Sequence, residues 1–264
     1  MEATSMKKVD ELRVEGIEKA KDDRFGHLHT KRLYLSDLKM DPLVWVDTVD
    51  ALSDTTTYIE DCDVIGLDCE WRPNFVKGRK PNKVSIMQIA SEKMVFIIDL
   101  IKLCREAPKV VDKSLSCIFS SPKILMLGYD FHGDLQHLIQ SYELDCFKEY
   151  RMLLDMKKLF KDSRGGLSGV SEKILGARLV KRTRMSNWEK RPLTQNQLEY
   201  AALDAAVLVH TFLRIRRLPQ NVDGCSSNDQ WELKADWTSC IVYEWNNSME
   251  IPKAKTKESQ TAKR

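Results

Sequence analysis

The stretch that decides the fold is V-I-G-L-D-C-E-W, residues 64–71, followed by V-S-I-M-Q-I-A at 84–90 and M-V-F-I-I-D-L at 94–100. Val64 to Leu67 are apolar or small and lead into Asp68, Cys69, Glu70 and Trp71, so the segment reads as a buried strand with an acidic end. Asp68 and Glu70 are two apart, which on a strand places both carboxylates on one face. Two acids on one face repel unless a cation lies between them. The alternative is a strand end fraying into water, against which Trp71 and the apolar approach argue. Pro73 and the basic loop Lys77 to Lys83 separate this strand from the second. Only Ser91 to Lys93 separate the second from the third, which predicts an antiparallel hairpin.

Further along, Ile124-Leu125-Met126-Leu127 predicts a fourth buried strand, after which the chain turns helical at Asp134 to Gln140, Met156 to Phe160 and Leu167 to Leu175, the last closed by Gly176. The last helix occupies L-T-Q-N-Q-L-E-Y-A-A-L-D-A-A-V-L-V-H-T-F-L-R-I-R, residues 193–216. Thr194 and Gln197 make a capping box, and Leu193 and Leu198 a hydrophobic staple. Ala201, Ala202, Ala205 and Ala206 favour helix and let a neighbour approach closely. Tyr200 and Asp204, four apart, project from one helical face. Toward the N-terminus, Leu43 to Val46 suits a short strand, and Asp47 or Thr48 can cap a helix through Ala51, Leu52 and Ile59. Strands first and helices later, with a hairpin inside the sheet, predict an α/β fold, a mixed sheet flanked by helices. Residues 1–42 are charged and weakly periodic and read as an N-terminal arm, with a partial helix or disorder as alternatives, 43–218 as the domain, and 219–264 as a polar tail expected to be disordered.

With 264 residues, 42% hydrophobic and 31% charged, the chain has material for one full core and polar ends. A net charge of +3 is too small for a field over the whole molecule, so any nucleic-acid surface must be local. Seven dispersed cysteines without a C-x-x-C pair suit reduced thiols, hence a cytoplasmic or nuclear setting. No apolar run approaches the roughly 20 residues of a membrane helix, and M-E-A-T-S-M-K-K lacks the apolar core of a secretory signal.

Asp134 follows the fourth strand in G-Y-D-F-H-G-D-L-Q-H-L. Alone it would be an acid favoured at a helix N-terminus, as Asp204 alone could face water. Together, Asp68, Glu70, Asp134 and Asp204 are four carboxylates from three elements. Hard oxygen donors without Cys or His suit Mg²⁺ or Mn²⁺. Such a set can hold two ions that clamp the attacking and leaving oxygens of phosphoryl transfer.

This ordered set resembles the DEDD superfamily of 3′–5′ exonucleases: D-x-E on the first strand of the pattern, an Asp after the fourth, and Y-x-x-x-D on a late helix. The segments G-L-S-G-V-S-E-K-I-L-G (166–176), S-N-W-E-K-R-P-L (186–193) and Y-A-A-L-D-A (200–205) are similar to ribonuclease D, Werner-type and Nibbler-type (small-RNA-trimming) exonucleases. The resemblance implies a ribonuclease-H-like fold over most of the chain, from about Val44 to Arg216. In the histidine subclass the water-activating residue stands five before the last acid. Here that position is Glu199, and Tyr200 stands four before, so the chain resembles the tyrosine subclass. Where proofreading exonucleases often carry Asn four before the third acid, this chain has Asp130; the frame G-x-x-x-x-x-D-L selects Asp134.

The resemblance implies that Asp68, Glu70 and Asp204 hold one ion and Asp68 bridges to a second near Asp134. Tyr200 is then expected to orient water or phosphate, since a phenol with a pKa of about 10 stays protonated at neutral pH. The implied activity is removal of nucleotides from a 3′ end of RNA or DNA, RNA slightly favoured, releasing nucleoside 5′-monophosphates. Arg182, Arg184, Arg191 and Trp188 lie in a basic segment that reads as a phosphate-tracking surface with a stacking platform, or as a solvated loop with Trp188 in the core. Trp71 is a further expected nucleic-acid contact. His132 and His137, flanking Asp134, could ligate a metal but are expected in surface or capping roles. The competing reading is a non-catalytic nucleic-acid-binding or scaffold module of the same fold; its signature would be loss of an acid or of the tyrosine, and none is missing.

Overall fold

A computed structural model describes residues 31–40, 43–160, 164–216 and 241–242. Its centre is a seven-stranded sheet built from β1 (Leu43–Val46), β2 (Val64–Trp71), β3 (Val84–Ala90), β4 (Val95–Asp99), β5 (Leu125–Gly128), β6 (Leu153–Asp155) and β7 (Ile241–Val242), in the order β1-β4-β3-β2-β5-β6-β7. The hairpin β3–β4 forms as the sequence predicts, and β2 pairs antiparallel with β3 and parallel with β5. The mixed sheet is thus antiparallel through β2, β3 and β4, and parallel from β2 through β5 to β6.

Period-two alternation divides the core between the two sheet faces. Ile86, Ala90, Ile97 and Leu127 point to one side, where they meet α6 (Gln195–Arg216) and α5 (Leu167–Leu175). Met87, Ile89, Phe96 and Ile98 point to the other, under α1 (Val49–Glu60), α3 (Pro108–Phe119) and α4 (His132–Ser141). The caps act as the sequence reads: Thr48 accepts from Ala51 N–H at 3.2 Å, and Gly176 ends α5 in the left-handed region at φ 79°. At α6, Thr194 Oγ1 accepts from Gln197 N–H at 3.3 Å while Gln197 Oε1 accepts from Thr194 N–H at 3.0 Å. Between β4 and β5 the helical region is split into α2 (Leu100–Glu106) and α3, because Pro108 starts the second helix and cannot continue the first. Among the described residues, no helix is long and apolar enough to cross a membrane.

One expectation needs correction, and both ends of the chain contribute to the domain. Met156 to Phe160 is not a helix; only a 3₁₀ turn, Met156–Lys158, follows β6, with Asp155 accepting from Lys157 N–H at 3.0 Å. Leu153 and Leu154 are drawn into the sheet beside β5, a strand too short to show in the sequence. The N-terminal arm is not separate throughout. Within it, Leu33, Leu35 and Met40 are buried against α6, and Arg32 bridges to Arg178. Nor is the tail wholly apart, since Ile241–Val242 pairs with Leu153 and Leu154; the rest of 217–264 and residues 1–30 lie outside the described residues.

Candidate active site

The site exists because α6 crosses β2 unusually closely. Gly66 faces the helix, and a Cβ there would collide with the carbonyl oxygen of Ala205. Ala201, Ala202, Ala205 and Ala206 are fully buried along that helix, so their small side chains set the spacing. The crossing leaves Asp204 beside Asp68 and Glu70, whose side chains share the α6 face with Gly66. Carboxylate oxygens of Asp68, Glu70 and Asp204 lie within 4.8 Å of one another.

Such proximity is electrostatically expensive. Burial, then repulsion from Asp204 and Glu70, raises the Asp68 carboxyl well above the usual range. Burial, then Asp204 and Asp134, does the same to Glu70. Asp204 is pushed up to about 7 by burial, although a hydrogen bond from Tyr200 and the charges of Arg184 and Lys181 oppose the shift. Asp134, in the first turn of α4, is raised to about 7 by burial and by Asp130, with Arg184 opposing. These acids hold protons where carboxyls normally do not, and a divalent cation would replace the protons. The donor set, oxygen alone, fits Mg²⁺ or Mn²⁺ rather than a softer metal.

Asp134 faces the same cleft as the tight trio without joining it. Asp130 is diverted: its Oδ2 pairs with Lys157 Nζ at 2.7 Å, and its backbone N–H donates to Asp155 at 2.9 Å. Tyr200 donates to Asp204, and its phenol is raised above its ordinary pKa by burial and by the charges of Asp204 and Glu70. It is therefore protonated at every physiological pH.

The acids line a cleft of about 750 Å³. Trp71, Pro73 and Arg79 line it together with Leu167, Lys181 and Arg184. Trp71 sits half-buried, its ring centroid 4.3 Å from that of the His137 imidazole in an edge-to-face arrangement. His137 is itself buried and bonds Asn82 O through Nε2 at 2.7 Å, a structural role. Arg184 lines the same cleft, and its charge opposes the upward shift of Glu70, Asp134 and Asp204. Arg182 lines a smaller recess beside the cleft.

Two of the expected nucleic-acid contacts are corrected. Trp188 is 0% exposed, so no base can stack on it. Its Nε1 donates to Arg184 O at 3.2 Å, and its ring centroid lies 6.0 Å from that of Tyr200 in a tilted contact. Arg191 is a core anchor. Its Nε and Nη2 donate to the two oxygens of Asp99 at 2.6 and 2.8 Å, and Nη1 donates to Trp188 O at 2.7 Å. A guanidinium so occupied has no fork left for a phosphate. The sequence could not separate these from Arg184, because the partners come from β4 and from the loop itself.

Sequence reasoning also missed Glu199. It is buried, and its Oε1 accepts from Leu35 N–H at 3.1 Å, fastening the N-terminal segment to α6. The apolar alternation of Leu33 and Leu35 was a signal that the segment packs.

With this geometry in place, comparison with known proteins gives concordant results. A family model described as 3′–5′ exonuclease matches residues 43–218. The human exonuclease mut-7 homolog is 32% identical over 177 residues, covering 59% of this chain and 20% of that protein. A 3′-5′ exonuclease of Arabidopsis thaliana is 32% identical over 164 residues, covering 61% of this chain and 55% of its own. The chain therefore spans only about a fifth and about half of these relatives. Among solved structures, the Aedes aegypti Nibbler EXO domain superposes with a TM-score of 0.58 at 25% identity, over 72% of this chain and 91% of that one. Trypanosoma brucei RNase D in complex with RNA U12 superposes at 0.59 with 23% identity, over 78% and 68% of the two chains, and shows likeness of fold.

Proposed function

Because the chain belongs to the DEDD family of metal-dependent 3′–5′ exonucleases, matched over residues 43–218, we propose that it shortens single-stranded nucleic acid from the 3′ end. RNA is favoured over DNA, on the likeness of its motifs to the Nibbler type and of its fold to the Nibbler EXO domain. The observation that carries the reading is the trio Asp68, Glu70 and Asp204 with their oxygens within 4.8 Å, a cluster that stays together only if protons or a cation neutralise it.

In this reading Asp68, Glu70 and Asp204 would hold one Mg²⁺ or Mn²⁺, and Asp68 with Asp134 a second. Bound there, the two ions would supply positive charge at the oxygen entering and the oxygen leaving phosphorus. The chain's own groups do the rest. Tyr200, permanently protonated, orients the attacking water by its hydroxyl and cannot serve as the base. Arg184 and Lys181 balance charge on the phosphate from the cleft wall, and Trp71 contacts the terminal nucleotide. Water adds to phosphorus, the P–O3′ bond breaks, and a nucleoside 5′-monophosphate leaves a strand with a new 3′-hydroxyl. We assign the compartment to cytoplasm or nucleus on the free cysteines, among them Cys62, Cys69 and Cys104.

The test is a 5′-labelled oligonucleotide ladder, RNA beside DNA, with Mg²⁺, Mn²⁺ or excess chelator. Stepwise shortening that needs the ion, and that a folded Asp68→Ala protein lacks, is expected. Undiminished cleavage in chelator, or by that variant, refutes the reading.

A further inference from the structure

Lys31–Met40 lies upstream of the matched residues 43–218, yet it is fastened to the site. Leu33 N–H donates to Arg178 O at 2.9 Å and Arg178 N–H donates to Lys31 O at 2.8 Å, a parallel bridge with Arg32 between the two rungs. Leu33 and Leu35 are buried and alternate with the exposed Arg32 and Tyr34, so the alternation fixes the outward direction of Arg32. The segment's own turn is tied by Asp37, which accepts from Tyr34 N–H at 3.1 Å and from Lys31 Nζ at 2.9 Å. The Arg32 guanidinium rests 4.7 Å from the centre of the Tyr34 ring, a contact that limits its rotation while leaving its N–H groups to other partners.

Held in this way, Arg32 forms one wall of a recess of about 130 Å³. Arg182, Thr183 and Asn196 supply further donors, while Leu179, Tyr200 and Asp204 are shared with the catalytic cleft. The recess therefore adjoins the reacting centre through the tyrosine and the last acid. Its donors are two guanidinium groups, a hydroxyl and an amide. Glu199 is the other acid in the wall, and one of its oxygens is already occupied by the Leu35 amide. The volume is too small for a whole nucleotide and admits a phosphate with part of its sugar.

We propose that Arg32, with Arg182, Thr183 and Asn196, binds a phosphodiester of the polynucleotide next to the scissile bond, so that the N-terminal segment is part of the substrate site. This rests on the exonuclease reading of the cleft. It assigns a substrate contact to residues outside the part of the chain that the family model matches. Arg32 is a binding residue here, since Tyr200 and the acids do the chemistry.

The full-length protein tests this with Arg32→Ala, Arg32→Lys and Leu33→Asp, the last to undock the segment. Two substrates are compared: single-stranded RNA, and the p-nitrophenyl ester of uridine 5′-monophosphate, which has one phosphodiester and no neighbouring nucleotide. Arg32→Ala should lower the ratio of RNA to ester efficiency about fivefold, mainly through KM, as expected for one solvent-facing charge contact. RNA binding by anisotropy in Ca²⁺ should lose about 0.7 from its log–log salt slope. Arg32→Lys should restore the slope, and Leu33→Asp should reproduce the alanine phenotype. An unchanged ratio and slope in Arg32→Ala overturns the proposal, as does an equal loss on both substrates. Weaker inhibition by uridine 5′-monophosphate with RNA binding intact would assign the recess to the product and also overturn it. A wild-type protein inactive on both substrates refutes the exonuclease reading, while the salt slope still decides the role of Arg32.

Discussion

At pH 5 in a chelating buffer the carboxyls of Asp134 and Asp204 carry protons, because the fold raises both to about 7. In the unfolded chain each would titrate near the ordinary 3.8. Between these values the folded state binds more protons than the unfolded one, so stability falls as pH rises. For Asp204 the interval of about three units corresponds to about 4 kcal/mol at 1.36 kcal/mol per unit. The cleft is open to water, which screens part of this, and a loss of about 2 kcal/mol between pH 5 and 8 is expected. For a domain of this size that is a fall in Tm of about 4–8 °C. His137, lowered mainly by burial, acts in the opposite sense below its ordinary 6.5. The decisive quantity is therefore the difference between wild type and Asp204→Asn, in which the histidine cancels. Differential scanning fluorimetry at pH 5, 6, 7 and 8, with EDTA and with Mn²⁺, measures it. The wild-type Tm should fall relative to the variant in EDTA, and Mn²⁺ at a hundred times its Kd should restore about 2.7 kcal/mol at pH 8 in the wild type. A metal-free wild type whose pH slope matches that of Asp204→Asn would refute the account, because the acid would then have paid no cost for its position.

Tyr200→Phe should lower kcat on the order of 10²-fold with KM little changed, measured on the RNA ladder, since the hydroxyl acts on water in the transition state, and Mn²⁺ titration should show somewhat weaker binding because Asp204 loses the hydrogen bond that opposes its raised pKa. Arg191→Ala should cost about 3–5 kcal/mol in urea unfolding by leaving Asp99 buried and unpaired, and its salt slope for RNA binding should equal that of the wild type. Trp188→Ala should also destabilise by about 3–5 kcal/mol, and should lower kcat in whatever protein remains folded, because the Tyr200 ring loses its support.

The sheet and the helix that carries Tyr200 and Asp204 were legible because their signals are local. The alternation in 84–90, the three-residue gap at Ser91, and the Thr194–Gln197 box each need only neighbours in the chain, and each appears in the structure where the residues place it. The four acids were legible as a set because Asp68 and Glu70 share a strand face and Tyr200 and Asp204 a helix face. What failed was pairing at long range. Trp188 and Arg191 sit in a stretch as basic as any nucleic-acid surface, and only the distant Asp99 makes the arginine structural. β6 and β7, of three and two residues, carry too little pattern to be seen without the strands they join. The docking of the N-terminal segment does not show in its composition, because Lys31, Arg32 and Asp37 dominate it, whereas Leu33 and Leu35 decide its place.

The close crossing at Gly66 links these successes and failures. Small residues on both sides let α6 descend until Ala205 O rests against the glycine, and that approach sets Asp204 against Asp68 and Glu70. Repulsion among the acids pushes the helix off the sheet, so the helix start must be tied down by something other than the acids. The ties are those the sequence hid. Arg191 binds the loop before α6 to Asp99 at the end of β4, Gln197 Nε2 binds Ser186 and Asn187 at 3.0 and 3.1 Å, and Glu199 binds the N-terminal segment. Together they fasten the loop before α6 and the first turns of the helix, the end that carries Tyr200 and Asp204. The basic loop therefore serves the site from two directions. Arg184 lines the cleft that holds the acids, and Arg191 holds in place the helix that presents them.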